Sequence, residues 1–304
     1  MVYKVAIVVL TYNGGNVWDQ CAGAIHNNRL TVAKVLVIDS GSTDNSVEIA
    51  NRYGFDVISI QKETFNHGAT RQLAAAILHD FDIIVYLTHD ALLVNTDSLV
   101  KLLAVFDIEA VGVAYGRQLP RQNAQPIEAH ARLFNYTDRS NLRGQESITL
   151  KGLKAAFTSD SFAAYRVKDL VAVGGFPNTI GSKDMLVAAK MIQNNRLVAY
   201  VADATVYHSH NYSLKQELSR YFDIGVMHAE NPWLLTEFGK PEGEGLRFIK
   251  SEMTYLAKKR PYSIPSAIVR TFSKYAGYKL GLKHRKLSTK WCRRLSMNKG
   301  YWKA

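Results

Sequence analysis

Short apolar runs recur through the first half of the chain, at residues 5–10, 35–38, 57–60, 83–87 and 111–115, each closed by turn or polar residues. Runs of this length, bounded in this way, predict buried strands. Between them, residues 17–26, 46–53, 69–78 and 98–106 carry helical patterns. Strand and helix therefore alternate as in βαβ units, which predicts an α/β fold with a mainly parallel central sheet flanked by helices. Residues 116–154 are polar with little periodicity and read as a long loop over a site. Beyond them, residues 155–165, 185–192 and 197–207 are expected to complete the sheet, and the chain from Leu214 onward reads as helical. No internal repeat or low-complexity linker interrupts this order.

Composition narrows the class. The 304 residues are 47% hydrophobic and 21% charged, enough to bury a large core. No stretch approaches the roughly 18 to 20 apolar residues of a spanning helix, and the start has no cationic region or small-residue cleavage site, so a cytoplasmic chain is expected. Cys21 and Cys292 form neither a disulfide framework nor a thiolate zinc site and read as buried thiols.

The formal charge of +12 is uneven: residues 245–304 hold sixteen Lys and Arg against the single acid Glu252, a formal +15. This divides the chain into a catalytic-sized body, 1–240, and a basic helical C-terminal region, 241–304. In the latter, Ile264, Ile268, Phe272, Tyr275 and Leu282 share one side of a helix, with Arg270 and Lys274 opposite and Lys279 interrupting the apolar face. Two readings fit: a helix peripheral on an anionic membrane surface, or one packed on its own domain with its cations in water. A nucleic-acid tail is a third, but leaves the motifs of the body unexplained, and no nucleic acid is expected.

In such sheets ligands bind beyond the carboxyl ends of the strands. Those ends carry Thr11-Tyr12-Asn13-Gly14-Gly15, Asp39-Ser40-Gly41-Ser42-Thr43-Asp44 and Thr88-His89-Asp90-Ala91. Neither G-x-G-x-x-G after the first strand nor G-x-x-x-x-G-K-[ST] is present, which argues against a dehydrogenase or a P-loop NTPase. The ordered series TYNGG, VIDSGSTDNS, FNHGATRQLA, YLTHDA, GGFP followed by an Asp, and YHSHNYS resembles the GT-A, family 2 glycosyltransferases, in particular their bacterial rhamnosyltransferase branch. The similarity continues through YGRQLP, SFAAYR, RYFDIGVMH and RRLSM, almost the whole chain.

That resemblance implies an inverting, metal-dependent transfer of L-rhamnose from dTDP-β-L-rhamnose to a sugar hydroxyl of a growing surface polysaccharide of O-antigen or capsule type, carried on a polyprenyl lipid. It places Asp39 as the acceptor for a nucleobase imide N–H, which suits an ionised carboxylate held by backbone. Thr11 falls where the family touches base or ribose, and Asn13 and His89 belong to the same nucleotide set. Arg71 is in reach of the nucleotide or its phosphates through its planar fork. Asp90 is the ligand of Mg²⁺ or Mn²⁺, although Thr88 stands where the usual D-x-D has its first carboxylate; His208 or His210 completes the site, His208 being preferred because it directly follows the apolar strand. Asp184 is the general base, with Lys183 in place of the usual Glu, favouring the carboxylate form and suited to an anionic acceptor.

Blander roles stand beside these: Asp39 as a turn residue, Arg71 as a solvated helix residue, Asp184 as a helix N-terminal acid stabilised by the dipole, and a structural histidine. The segment Gly116 to Arg121, with Glu128 and His130, either shapes sugar subsites or orders the loop. Asp160, Ser161 and Tyr165 border the acceptor or belong to the core. Two other functions compete: a transferase with a UDP-sugar donor, and a catalytically weak glycan-binding scaffold subunit.

Overall fold

The computed structural model describes residues 3–302. Met1, Val2, Lys303 and Ala304 lie outside the described residues, and with them part of the amino-terminal stretch and one tail cation. Among the described residues nine strands form one sheet: β1 (Val5–Thr11), β2 (Lys34–Asp39), β3 (Asp56–Ser59), β4 (Ile83–Thr88), β5 (Leu92–Leu93), β6 (Val111–Leu119), β7 (Asn141–Arg143), β8 (Phe162–Arg166) and β9 (Leu197–Tyr207). Their spatial order is β3-β2-β1-β4-β8-β6-β9-β5, with β7 also paired to β9. β1 to β4 are mutually parallel, and β8 is antiparallel to both β4 and β6, which restores the direction in β6 and its parallel neighbour β9. The carboxyl ends of β1, β2, β4, β6 and β9 therefore share one edge.

Side-chain alternation assigns the core. Along β1, Ala6, Val8 and Leu10 enter one apolar layer, and Val5, Ile7 and Val9 the other. Both faces are covered, so the strand reads as a continuous apolar run rather than an alternating one. The helices that cover the first half are α1 (Gly15–His26), α2 (Ser46–Arg52), α3 (His67–Ile77) and α4 (Ser98–Ala104). They occupy the stretches read as helical from the sequence.

The segment 116–154 is not a loop. β6 runs on to Leu119, and α5 (Pro126–Asn135), β7 and α6 (Glu146–Lys151) follow. α5 has a narrow apolar side, completed by residues far downstream: His130 lies against Phe248 and Tyr255. Residues 185–192 are likewise not a strand but the body of α8 (Lys183–Gln193), which follows α7 (Val167–Ala172). A helix buried on several sides loses its polar stripe, and a short apolar run then carries no periodicity to tell helix from strand.

The remaining helices are α9 (Leu214–Glu230), α10 (Pro232–Phe238), α11 (Glu242–Lys259), α12 (Ile264–Leu282) and α13 (Thr289–Leu295). α12 packs along α9 through glycine: a Cβ on Gly281 would lie 2.1 Å from the Phe222 carbonyl oxygen, and one on Gly277 2.3 Å from that of Leu218. Arg270 and Lys274 point inward, 3.3 and 3.7 Å from Glu217 Oε1. The tail thus docks by the face the sequence marks as polar, and its apolar face looks outward. No helix among the described residues is long and apolar enough to cross a membrane.

Candidate active site

Asp90, His208 and His210 meet at the shared strand edge. The two residues of β5 pair antiparallel with the end of β9, Leu92 opposite Tyr207 and Leu93 opposite Val206, which holds the turn carrying Asp90 beside the histidines. Asp90 Oδ1 is 3.5 Å from His208 Nε2, Oδ2 is 3.5 Å from His210 Nε2, and the two nitrogens are 3.1 Å apart. All three ligand atoms lie within 4.8 Å of one another. Donors about 2.1 Å from one cation and at right angles to each other sit about 3.0 Å apart, so this spacing fits a single divalent ion.

The tautomer of His208 follows from its neighbours. Arg132 Nη1 donates to Gln118 Oε1 at 2.8 Å, while Gln118 Nε2 donates to Ser159 Oγ at 2.8 Å, so Oε1 is an acceptor. His208 Nδ1 lies 2.8 Å from that same oxygen and must therefore carry the proton, leaving the Nε2 lone pair free for a cation. Burial pushes the His208 pKa down to about 3, and burial also lowers that of His210, so both are in the neutral, ligating form near pH 7. Burial works against the charge on Asp90, but where either of the two histidines takes up a proton it favours the carboxylate, as do Thr88 and His89, and the balance holds the carboxyl below the usual range. Arg121 Nη2 donates to the Asp90 carbonyl oxygen at 2.5 Å and fixes the turn.

The loops after β1 and β2 interlock. Asp39 Oδ2 accepts from the amides of Gly41 at 3.0 Å and Ser42 at 2.9 Å, and Oδ1 accepts from Ser42 Oγ at 2.5 Å. Asn13, at φ 46, donates its amide to Ser42 Oγ and accepts from the amide of Thr43. Thr11 and Ser40 each hold a buried hydroxyl with no protein partner at this edge. His89 approaches the Leu10 carbonyl at 3.4 Å, between β1 and β4. Thr11, Asn13, Asp39 and His89 thus cluster at the ends of β1, β2 and β4, next to Asp90.

Arg71 is neither solvated nor part of that cluster. It is 2% exposed, and its Nε lies 3.0 Å from Asp160 Oδ2. Lys183 Nζ is 3.4 Å from the same oxygen, and Tyr165 donates to Asp160 Oδ1 at 2.6 Å. Lys183 is therefore satisfied internally. Asp184, half-buried at the start of α8, accepts among the described residues only backbone amides, from Asp160 at 3.3 Å and Met185 at 3.1 Å, which leaves lone pairs to receive a proton. Gly68 lets this corner close: a Cβ there would lie 2.1 Å from the Pro177 carbonyl oxygen, in the loop leading to Asp184. The sequence places Gln118 only within the Gly116 to Arg121 segment, as a residue shaping a subsite or ordering a loop, and gives Arg132 no role; the part each plays behind His208 emerges from the structure.

A mainly parallel α/β sheet whose strand ends gather a carboxylate and two histidines beside interlocked turns is an architecture that binds ligands at that edge. The model of the glycosyl transferase family 2 matches residues 6–174, and the chain belongs to that family. It is 44% identical over 301 residues to the O-antigen chain rhamnosyltransferase RfbN of Salmonella typhimurium, covering 98% of this chain and 96% of RfbN. It is also 44% identical over 298 residues to the O-antigen chain rhamnosyltransferase WbaN of Salmonella anatum, covering 97% and 95%. Among solved structures, the mannosyltransferase PcManGT of Pyrobaculum calidifontis, in complex with GDP-Man and Mn²⁺, superposes with a TM-score of 0.65 at 16% identity, over 95% of this chain and 88% of the other. The GT-A fold expected from the sequence is the fold observed.

Proposed function

We propose that the protein transfers L-rhamnose from dTDP-β-L-rhamnose to a hydroxyl of a growing O-antigen-type polysaccharide, with inversion, in the cytoplasm, on an acceptor carried by a polyprenyl lipid. The rhamnosyl and O-antigen parts follow the two curated relatives, whose likeness runs the length of the chain. The observation that carries the catalytic reading is the Asp90–His208–His210 triad with its tautomer set by Gln118.

Two imidazoles favour Mn²⁺ over Mg²⁺. When bound, the cation would offset charge on the departing diphosphate. The chain supplies the rest. The cluster of Thr11, Asn13, Asp39 and His89 would hold the nucleoside, with Oδ1 of Asp39, which has one protein donor, accepting from the base. Asp184 would take the acceptor proton as the hydroxyl attacks opposite the leaving group, and one displacement inverts the anomeric carbon. Arg71 and Lys183 neutralise Asp160 beneath it, so a single carboxylate faces the acceptor.

A thermal-shift panel of dTDP-rhamnose, UDP-glucose, UDP-galactose and UDP-N-acetylglucosamine, each with and without Mn²⁺, tests this on the wild type and Asp90→Ala. A cation-dependent rise confined to dTDP-rhamnose and absent in the variant is expected. Preference for a UDP-sugar would overturn the donor, and no rise with any nucleotide sugar would favour the scaffold reading.

A further inference from the structure

The outward face of α12 is unlike the rest of the surface. Counting along the helix, Pro265, Ile268, Val269, Phe272, Ala276 and Leu280 are all exposed and fall within one arc, with Tyr275 at its margin. Phe272 is 69% exposed and Tyr275 61%. The inward face offers Ala267, Gly277 and Gly281 to α9, and turns Arg270 and Lys274 toward Glu217. The apolar row is therefore not a displaced packing face: packing is complete without it.

Both ends of the row are cationic and aromatic. At the α11–α12 corner stand exposed Lys258, Lys259, Arg260 and Tyr262. Beyond the other end lie Lys283, Lys290, Arg293 and Arg294, with Trp291 54% exposed. Lys279 places its ammonium 5.4 Å from the centre of the Tyr275 ring, so its stem covers the apolar row while its charge stays at the margin. No acidic residue follows Glu252 in the chain.

We propose that α12 lies flat in the headgroup region of an anionic phospholipid bilayer, its apolar row inserted and the flanking cations on lipid phosphates. A long apolar stripe with cations and interfacial aromatics at its ends, and no acid to repel an anionic surface, is the pattern of an interfacial helix rather than of a spanning one. The opposite side of the helix is tied to the segment that follows the histidines. Arg270 Nη1 donates to the Tyr212 carbonyl oxygen at 2.7 Å, and Ser273 Oγ donates to that of Leu214, both just past His210. The inference deepens the proposed function by naming the surface on which a lipid-carried acceptor is met; its purpose rests on that reading, but its test does not.

The test is sedimentation of the full chain with vesicles of phosphatidylglycerol and phosphatidylcholine, against phosphatidylcholine alone, at low and high salt. Wild type, Val269→Ser/Phe272→Ser and Lys279→Gln/Lys283→Gln are compared. The proposal expects salt-sensitive binding to the anionic vesicles, weakened about tenfold or more in the apolar double variant and by a smaller factor in the lysine variant. Thermal midpoints and the nucleotide-sugar shift are expected to stay as in wild type, since none of these side chains touches the core or the site. Equal binding by wild type and the apolar variant overturns the proposal, as does no binding to anionic vesicles. Self-association in the absence of lipid that is lost in the apolar variant would assign the face to a second copy of the chain instead. Absence of any nucleotide-sugar shift would sink the proposed function and leave the vesicle result standing.

Discussion

The backbone amide of Asp160 donates to Oδ2 of Asp184 across 3.3 Å, yet the two carboxylates have opposite circumstances. Asp160 is enclosed by Arg71, Lys183 and Tyr165, whereas Asp184 meets no side-chain donor among the described residues. Asp160→Asn leaves two buried cations without their counter-charge and is expected to cost about 3–5 kcal/mol in urea unfolding. Asp184→Asn should leave the unfolding midpoint nearly unchanged and lower kcat by about 10² to 10⁴. Reversal of these two outcomes would exchange the roles of the pair.

Gln118 sets which nitrogen of His208 is bare. Gln118→Leu removes that constraint and leaves the Arg132 fork short of one acceptor. Orienting partners of this kind are typically worth 10- to 100-fold in metal affinity, and a loss in that range is expected in calorimetric Mn²⁺ titration of the variant. Unchanged affinity would show that Gln118 does not orient a cation ligand.

Acid should loosen the junction of α5 and α11. Burial, with Lys274 adding to it, pushes the His130 pKa down to about 4, against an unfolded value near 6.5. The unfolded chain therefore binds more protons below pH 6.5, so the stability due to neutral His130 is full above that pH and is lost as pH falls from about 6.5 toward 4. His130→Phe keeps a ring against Phe134, Phe248 and Tyr255, loses the 2.9 Å contact with Ser251, and should flatten the thermal midpoint across that window. Some slope will remain, since His208 and His210 are depressed in the same direction.

Gly68→Ala presses a methyl group against the Pro177 carbonyl, and backbone cannot step aside as a flexible side chain would. A loss of about 1–3 kcal/mol is expected, together with a fall in turnover, because the displaced loop leads to Asp184. Stability and kcat measured on the same preparation would show whether the two effects travel together.

The half of the fold built on β1 to β4 was legible because β1, β2 and β4 are buried on both faces over most of their length, and an apolar run bounded by turns has few other meanings; the edge strand β3 is only partly buried but is bounded in the same way. α5 and α8 were not, one because its apolar side is completed by Phe248 and Tyr255 from afar, the other because burial erases its stripe. The orientation of α12 was hidden for a different reason. Periodicity finds the apolar face, but it cannot know that glycines let the opposite face approach more closely, or that Glu217 waits for Arg270. At the site, Asp90 and both histidines could be read from strand-end position and motif. The buried cluster around Asp160 could not, since Arg71 and Lys183 are drawn to it from two helices distant in the chain.

The glycine contact between α9 and α12 leaves no slack for a methyl group at Gly277 or Gly281, and a Cβ on Gly225 of α9 would in turn lie 2.3 Å from the Tyr278 carbonyl oxygen. The two helices are matched as a key is to its lock, so the C-terminal segment is no interchangeable accessory. A chimera that borrows another transferase's tail will fold only if it also borrows the partner helix, which begins just after the histidine pair. In this chain the segment that moves as a unit with α12 therefore reaches back to Leu214, four residues past His210.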